Sequence, residues 1–167
     1  MYVEPIPSRR NFLTRWSWRW GRNSRPRLLP GCAVMSAERA TYLDSSAIVK
    51  LAVAEPESAE LRRYLRRRRP WVSSALARAE VVRALLPAGP AAVRGGAAVL
   101  GRIDLIRIND RVLDTAGRLL PVQLRSLDAV HLATAQLLGD DLARLVTYDE
   151  RMAAAADRMG LSVAAPA

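Results

Sequence analysis

Four acidic residues of this chain stand beside short apolar runs. Asp44 comes directly after the run "TYL", and Asp149 comes directly after "LVTY". Glu80 lies among apolar residues in "SSALARAEVV", and Asp128 does so in "SLDAVHLATAQLL". Several carboxylates gathered in one cleft repel one another and raise one another's pKa, and a bound divalent cation relieves that repulsion. The four acids therefore form a candidate metal site if the fold brings them together.

The type of these residues indicates which metal and which chemistry they would serve. Mg²⁺ and Mn²⁺ take oxygen ligands, and the sequence has no cluster of histidine and cysteine that would suit zinc. One or two such ions can activate a water molecule and stabilise the charge that builds on a phosphate during in-line attack. The expected reaction is hydrolysis of a phosphodiester bond. Ser46 and Thr147 could each orient a water molecule beside the metal, although both could equally be local capping hydroxyls.

Each acid also has a simpler structural explanation. Asp44 and Asp149 could be plain helix N-caps, because a carboxylate before a helix accepts hydrogen bonds from its first N–H groups. Asp128 could complement the helix dipole from the first turn, and Glu80 could be a surface residue at the edge of an apolar stripe. Capping acids are common, so no single one of these residues argues for a site. The conjunction of all four favours a metal site.

The elements that must position these acids alternate between short apolar runs and helical patterns from Ala40 onward. The patterns predict strands over 40–44, 71–74, 105–108 and 144–148, a last strand in "SVA", and helices over 45–53, 56–68, 75–86, 110–120, 126–138 and 150–159. Pro90 could begin a further helix, although Gly95-Gly96 disfavours one. This alternation is typical of a parallel sheet with helices on both faces. Asp44 and Asp149 then both lie at its carboxyl edge, where sites form in open parallel sheets.

The sequence has three further basic features. Arg125 could hold a phosphate at the mouth of the cleft, or it could be solvated. His131, the only histidine, is a tempting general base, but its setting in "AVHLATA" predicts a packed helix residue. The run "RRYLRRRR" over 62–69 could attract RNA without reading its sequence, or it could be an exposed helix face.

Composition narrows the class of protein. The 167 residues suit one domain plus a tail, half of them are apolar, and no apolar run reaches the length of a membrane span. The single cysteine, Cys32, cannot form an internal disulfide, which favours the reducing cytoplasm. The formal net charge of +10 predicts attraction to polyanions.

The first 34 residues differ in composition from the rest. Residues 1–34 hold seven arginines against one acid, together with five of the nine aromatic residues. Their "SRRNFL" resembles a twin-arginine export motif, but arginines follow where that signal needs an apolar stretch. Such a segment could also touch a membrane surface or nucleic acid. We expect a disordered extension, or residues upstream of the true start, with a boundary near Pro30-Gly31 and a nuclease-like domain over 35–167.

Four segments resemble a known family in their order and spacing. They are "YLDSSAIVKL", "SSALARAEVVRAL", "RSLDAVHLATAQLLG" and "LVTYDERMAAAADRMGL". Each is a weak signal alone, but together, over about residues 40–164, they resemble the PIN-domain ribonucleases. The resemblance is greatest to the VapC-type toxins of type II toxin–antitoxin systems.

The resemblance implies a three-layer α/β/α fold around a central parallel sheet of four to five strands. It also implies metal-dependent endonucleolytic cleavage of RNA, with Mg²⁺ or Mn²⁺ as cofactor. The family's acidic ligands correspond to Asp44, Glu80, Asp128 and Asp149, and its hydroxyl after the first acid corresponds to Ser46. A toxin homodimer and a cognate antitoxin whose tail enters the acidic groove are implied as well. The extension over 1–34 departs from the family pattern.

Three other functions stay open at this point. The chain could keep the fold and act only by binding, although the presence of all four acids argues against that. It could be a phosphohydrolase with an aspartyl nucleophile, but that chemistry usually wants a second Asp where this chain has Ser46. It could also be a PIN-type nuclease of RNA processing or DNA repair that acts without an antitoxin.

Overall fold

The structure is a computed structural model that describes residues 38–167. The extension over 1–34 and its predicted boundary lie outside the described residues. Five strands are present: β1 (Ala40–Leu43), β2 (Trp71–Ser74), β3 (Asp104–Ile106), β4 (Leu142–Val146) and β5 (Val163–Ala164). The α-helices are α1 (Ser45–Ala52), α2 (Ser58–Leu65), α3 (Ala77–Leu85), α4 (Pro90–Leu100), α5 (Asp110–Ala116), α6 (Ser126–Gln136) and α7 (Glu150–Arg158). Short 3-10 helices follow α3, over Leu86–Ala88, and α6, over Gly139–Asp141.

The five strands form one sheet in the order β3-β2-β1-β4-β5, and every pairing is parallel. The chain therefore builds outward from β1 to β3 on one side, and then returns to place β4 on the other side of β1. The strand order reverses between β1 and β4. In open parallel sheets, the crevice beyond the carboxyl ends of the strands at such a reversal is where ligands bind.

Helices cover both faces of the sheet, which confirms the predicted three layers. Because successive strand residues point to opposite faces, Tyr42 and Leu145 belong to one core, while Leu43 and Val146 belong to the other. Helices α6 and α7 pack on the first core, and helices α1 to α4 pack on the second. None of the helices within residues 38–167 is long and apolar enough to cross a membrane.

Several predicted boundaries were wrong, each for a local reason. Helix α2 begins at Ser58, not at residue 56, because the Ser58 hydroxyl accepts the N–H of Glu55 at 2.9 Å and donates to the carbonyl of Lys50 at 2.7 Å, which holds the preceding turn. It ends at Leu65. There, backbone hydrogen bonds between residues three apart, such as Arg66 N–H to Arg63 O (3.4 Å), replace the α-helical bonds between residues four apart. Strand β3 covers only Asp104–Ile106, because its register pairs it only with residues 72–74.

Two further boundaries also differ from the prediction. Helix α5 ends at Ala116, four residues before the predicted end at residue 120 and well ahead of Pro121, because Gly117 takes the C-cap position. Strand β4 ends at Val146, not at residue 148, because Thr147 leaves the strand to bond the site described below.

Helix α4 forms despite its two adjacent glycines. It follows Gly89, whose φ of +88° suits glycine, and Pro90 occupies its first turn. Gly96 is buried against α3: a Cβ at this position would lie 2.5 Å from Leu85 Cδ1 and 3.1 Å from Val81 Cγ1. Gly96 therefore weakens the helix locally but permits its close packing on α3, and that packing compensates for the loss.

Candidate active site

A cleft of about 400 Å³ opens at the carboxyl ends of β1 and β4. All four acids singled out in the sequence line this cleft, although they come from four separate parts of the chain. The lining residues are Asp44, Ser45, Ser46, Val49, Lys50, Glu55, Glu80, Ala84, Asp128 and Asp149. The fold thus brings together the predicted site residues at the predicted edge of the sheet.

Asp44 is the most firmly held of the four acids. It is only 6% exposed, and its backbone N–H donates to the carbonyl of Val146 at 3.0 Å, which ties the end of β1 to β4. Its Oδ2 accepts hydrogen bonds from the hydroxyls of Ser46 at 2.7 Å and Thr147 at 3.0 Å, and from the N–H of Ser46 at 3.3 Å. Asp44 is therefore a helix N-cap, as its simpler explanation predicted, and it is also a buried carboxylate facing the cleft.

The hydroxyls of Ser46 and Thr147 connect Asp44 to the loop after β4. Ser46 Oγ accepts the N–H of Tyr148 at 3.0 Å, and Thr147 Oγ1 accepts the N–H of Asp149 at 3.1 Å. Each hydroxyl therefore accepts from the backbone and donates to the same carboxylate oxygen. This arrangement fixes the orientation of Asp44, a role that sequence reasoning did not assign to them.

Glu80 reaches the cleft from α3 and is held through one oxygen. Its Oε2 accepts hydrogen bonds from Ser45 Oγ at 2.5 Å and from His131 Nε2 at 2.7 Å. Burial favours the neutral form of Glu80, but these two hydrogen bonds and the neighbouring imidazole outweigh it and hold the pKa of the carboxyl below its usual range. Glu80 is therefore not the surface residue of the simpler explanation.

His131 is the functional neighbour that the sequence did not reveal. The prediction of a packed helix residue is confirmed, because the ring is 1% exposed within α6. The same ring nevertheless contacts Glu80 and lies 3.8 Å from Asp44 Oδ1. One signal could have found it: His131 follows Asp128 by three residues, so both lie on one face of the helix.

Asp128 and Asp149 complete the cleft in different ways. Asp149 is the N-cap of α7, because its Oδ1 accepts the N–H groups of Arg151 at 2.9 Å and Met152 at 3.0 Å. Asp128 Oδ2 is buried and has no hydrogen-bond partner within residues 38–167. Burial raises the pKa of Asp128, and the charges of Asp149 and Asp44 raise it further.

Basic residues at the rim of the cleft do not neutralise the acids. The charges of Arg125 and Arg151 lower the pKa of Asp128 but do not reverse its rise. Lys50 lines the cleft, yet its Nζ is bound to Glu55 at 2.6 Å and to Glu57 at 2.7 Å. These hydrogen bonds raise the pKa of Lys50, and its charge is paired with those two glutamates rather than with the four acids.

The donor set suits a hard divalent cation. The four acids provide oxygen ligands, Asp128 Oδ2 has no hydrogen-bond partner within residues 38–167, and like charges raise the pKa of Asp128. Within residues 38–167, no three carboxylate, histidine or cysteine side chains are arranged to hold an ion as they stand. The site nevertheless fits Mg²⁺ or Mn²⁺ by ligand type and charge. Water molecules or a shift of a carboxylate would be needed to complete the coordination.

A second cavity, of about 270 Å³, lies at the opposite edge of the sheet. Five arginines and one acid are among its lining residues, which are Glu38, Arg39, Thr41, Arg67, Arg68, Arg69, Ala143 and Arg144. The guanidinium groups of Arg68 and Arg69 each lie 3.9 Å from the centre of an aromatic ring, that of Tyr64 and Trp71 respectively. The arginine run of the sequence thus contributes to a basic cavity remote from the acids.

Comparison with known proteins identifies the family. The model of the PIN domain matches residues 41–158, which include all four acids of the cleft. The chain belongs to the PIN-domain family. This PIN domain is 65% identical over 127 residues to Ribonuclease VapC46 of Mycobacterium tuberculosis, a match that covers 76% of the chain and 98% of that protein. The predicted resemblance to VapC-type PIN-domain proteins is therefore confirmed.

Two further relatives agree with this assignment. The PIN domain is 42% identical over 129 residues to Ribonuclease VapC35 of Mycobacterium tuberculosis, which covers 75% of the chain and 96% of that protein. The crystal structure of VapC20 from the same organism, described as a toxin that cleaves the sarcin-ricin loop, matches with a TM-score of 0.59. That match has 16% identity and covers 69% of this chain and 94% of VapC20, so it supports the fold.

Proposed function

We propose that this PIN domain is a metal-dependent endoribonuclease that hydrolyses RNA phosphodiester bonds and acts as the toxin of a toxin–antitoxin pair. The observation that carries the proposal is the convergence of Asp44, Glu80, Asp128 and Asp149 on one cleft. The identity of 65% to a protein named as a ribonuclease supports the choice of RNA as substrate.

The four carboxylates would hold one or two divalent cations, with Mg²⁺ as the first choice and Mn²⁺ as an alternative. Such an ion would activate a water molecule and neutralise the charge that develops on the phosphate. Arg125, whose charge lowers the pKa of Asp128, would hold a phosphate oxygen at the mouth of the cleft.

The residues around Asp44 supply preorganisation. Because the Ser46 and Thr147 hydroxyls and the Ser46 N–H all donate to Oδ2, the other oxygen of Asp44 keeps a fixed position facing the cleft. A carboxylate that is already oriented does not have to be reorganised when substrate and cation bind. This restraint favours a catalytic role over a purely capping one.

The direct test is cleavage of a mixed-sequence RNA by the purified full chain with Mg²⁺ or Mn²⁺. Asp44→Asn is the matched variant, because an amide oxygen can still accept the hydrogen bonds of Ser46 and Thr147, and circular dichroism checks its fold. Metal-dependent cutting that vanishes in the folded variant supports the proposal. Equal cutting by both proteins would assign the activity to a contaminant. If the wild type binds no Mn²⁺ by isothermal titration calorimetry and cuts nothing, the domain is a binding module.

Two protein partners belong to this proposal. The first is a cognate antitoxin whose basic segment enters the acidic cleft, and RNA cleavage in the cytoplasm is the activity that it would restrain. Co-expression with the product of a small reading frame beside this gene, where one is found, should give a complex that no longer cuts RNA. Cutting that persists with every neighbouring product would favour a PIN-type nuclease that acts without an antitoxin.

The second partner is another copy of this chain. Within residues 38–167, four of the five large apolar side chains that are exposed occur between Leu113 and Leu127, and Val122 is 81% exposed. Exposed apolar side chains that lie together are typical of a protein contact, so we propose this segment as the contact between two copies. Val122→Asp should convert a dimer to a monomer in analytical ultracentrifugation, whereas a wild-type chain that is already monomeric would rule out the dimer.

A further inference from the structure

A chain of hydrogen bonds runs from the sheet through the core to Glu80. The N–H of Ser74 donates to the hydroxyl of Tyr42 at 3.0 Å, and that hydroxyl lies 2.8 Å from His131 Nδ1. On the other side of the ring, His131 Nε2 lies 2.7 Å from Glu80 Oε2. The series therefore links β2, β1, α6 and α3, which are the elements around the cleft.

The geometry limits the direction of these bonds. His131 Nε2 must carry a proton, because a bare nitrogen would face a carboxylate oxygen at 2.7 Å. A ring that carries a single proton then has its acceptor at Nδ1, and Tyr42 donates to it. A tyrosine hydroxyl ordinarily keeps its proton near neutral pH, so Tyr42 is available as the donor. The Tyr42 oxygen accepts from Ser74, which satisfies both functions of the hydroxyl.

The surrounding core leaves the pair little freedom. Tyr42 is fully buried and His131 is 1% exposed, and their rings meet edge to face with centroids 6.0 Å apart. Tyr42 precedes Asp44 by two residues on the strand that carries it, and His131 follows Asp128 by three residues on α6. Nε2 also lies 3.8 Å from Asp44 Oδ1, so one N–H group faces two of the cleft acids.

We propose that His131 and Tyr42 are positioning residues that set the orientation of Glu80 as a metal ligand. Tyr42 holds the imidazole with its proton on Nε2, and that N–H anchors Glu80 through Oε2. Ser45 binds the same oxygen, so both anchors leave Oε1 for the cation. This inference rests on the proposed function, since it requires Glu80 to bind a metal.

The first experiment examines the ring without any metal. His131 is the only histidine of the chain, so protein prepared without a histidine tag gives a single set of ring signals. Long-range ¹H–¹⁵N correlation spectra at pH 8 should show a proton on Nε2 and none on Nδ1. Tyr42→Phe removes the donor to Nδ1, and it should yield a mixture of the two tautomers. A proton on Nδ1 in the wild type would overturn the proposal.

The second experiment measures Mn²⁺ affinity by isothermal titration calorimetry in the absence of RNA. His131→Leu keeps an apolar side chain in the core but removes the anchor, and it should weaken Mn²⁺ binding by about 10- to 100-fold. His131→Gln can donate to Glu80 and accept from Tyr42, so it should restore most of the affinity. Leu132→Val, a packing change at the next residue of α6, is the control for general loosening and should leave the affinity near that of the wild type.

Cleavage assays then separate positioning from a merely structural role. In His131→Leu, raising the Mn²⁺ concentration should recover kcat, because the ligands remain and only their preorganisation is lost. A loss of kcat that no metal concentration restores would contradict the proposal. So would unchanged Mn²⁺ affinity in both His131→Leu and Tyr42→Phe.

The outcomes distinguish this inference from the function beneath it. If the wild type binds Mn²⁺, Asp44→Asn loses it and His131→Leu keeps it, the metal site stands and the positioning role fails. If the wild type binds no Mn²⁺ at all, the proposed metal chemistry fails and the role of Glu80 as a ligand fails with it.

Discussion

The two edges of the central sheet carry opposite charges, and the charged side chains differ in how firmly neighbouring groups fix them. At the carboxyl edge, Asp44 and Glu80 are anchored by hydrogen bonds from neighbouring side chains, and Asp149 caps a helix. At the amino edge, the arginines of the second cavity are exposed, and two of them stack on aromatic rings. The acids are oriented from inside the fold, whereas the arginines project from it.

This difference separates charges that can do chemistry from charges that can only attract. Catalysis needs groups whose position is set before the substrate arrives, so it draws on buried and hydrogen-bonded side chains. Attraction of a polyanion needs only charge at the surface, and salt screens it. Changes at the acidic edge should therefore alter kcat, and changes at the basic edge should alter RNA affinity.

The largest effect is expected from Asp44→Asn. Neutralising the carboxylate that faces the cleft should lower kcat by roughly 10²- to 10³-fold, with little change in KM. Steady-state cleavage of a labelled RNA measures both constants, and thermal unfolding confirms that the variant folds. A rise in KM with kcat unchanged would show that the acidic edge only binds.

The hydroxyls that hold Asp44 should matter less than Asp44 itself. Thr147→Val removes one donor to Oδ2 while keeping the shape of the side chain, and it should lower kcat by about 10-fold. Ser46→Ala should act similarly, because it removes the other hydroxyl. Thr115→Val on α5, distant in sequence from these residues, is the control. Full activity in both variants would show that the two hydroxyls only cap local backbone and do not contribute to catalysis.

Repulsion between Asp128 and the other acids should make the stability of the metal-free protein depend on pH. The raised pKa of Asp128 means that the folded state holds the proton more tightly than the unfolded state, so metal-free protein should lose stability as pH rises through that pKa. Asp128→Asn should remove this loss and stabilise the metal-free protein at pH 7 by at most about 1 kcal/mol, because solvent screens part of the repulsion.

Urea unfolding at pH 5 and pH 8 checks this prediction. Mg²⁺ should stabilise the wild type more than Asp128→Asn, because the cation satisfies the charge that the variant lacks. A variant that is less stable than the wild type at both pH values would show that the Asp128 carboxylate is already compensated.

The smallest effect is expected at the amino edge. In an Asp44→Asn background, which prevents cutting, Arg67→Gln with Arg144→Gln should weaken binding of a 20-nucleotide RNA several-fold at low salt. The slope of log affinity against log salt should fall by about 1 to 1.5, since each contact to a single strand contributes about 0.7. Fluorescence anisotropy measures both, and Arg94→Gln with Arg158→Gln is the control pair. An unchanged slope would show that RNA does not bind at this edge.

Most of the fold was predictable from local patterns. The apolar runs at β1 and β2 and the periodicity of α6 and α7 gave the right element types, and Asp149 was correctly predicted as the cap of α7. Helix α4 was not secure from sequence, because Gly96 weakens a helix locally while its fit against Leu85 depends on a different helix. Boundaries at α2 and β4 shifted because side chains of the site, or of the preceding turn, bind the backbone there.

The acids of the candidate site were predictable from the sequence, but the side chains that hydrogen-bond to them were not. The strand before each acid and the carboxyl edge of a parallel sheet led to Asp44 and Asp149, and apolar neighbours in helical patterns led to Glu80 and Asp128. Nothing local indicated that Thr147 would bind Asp44, which lies 103 residues earlier in the chain. Likewise, the apolar neighbours of His131 indicated burial but not a contact with a carboxylate.

Sequence thus determined what is periodic or adjacent: the strands and helices, the caps that follow them, the excess of positive charge and the identity of the four acids. Tertiary structure decided which of those groups meet. His131 and Glu80 are 51 residues apart and touch only because α3 and α6, on opposite faces of the sheet, both extend to its carboxyl edge. A hydrogen bond requires two atoms within about 3 Å, and that distance depends on how the layers pack rather than on any short stretch of sequence.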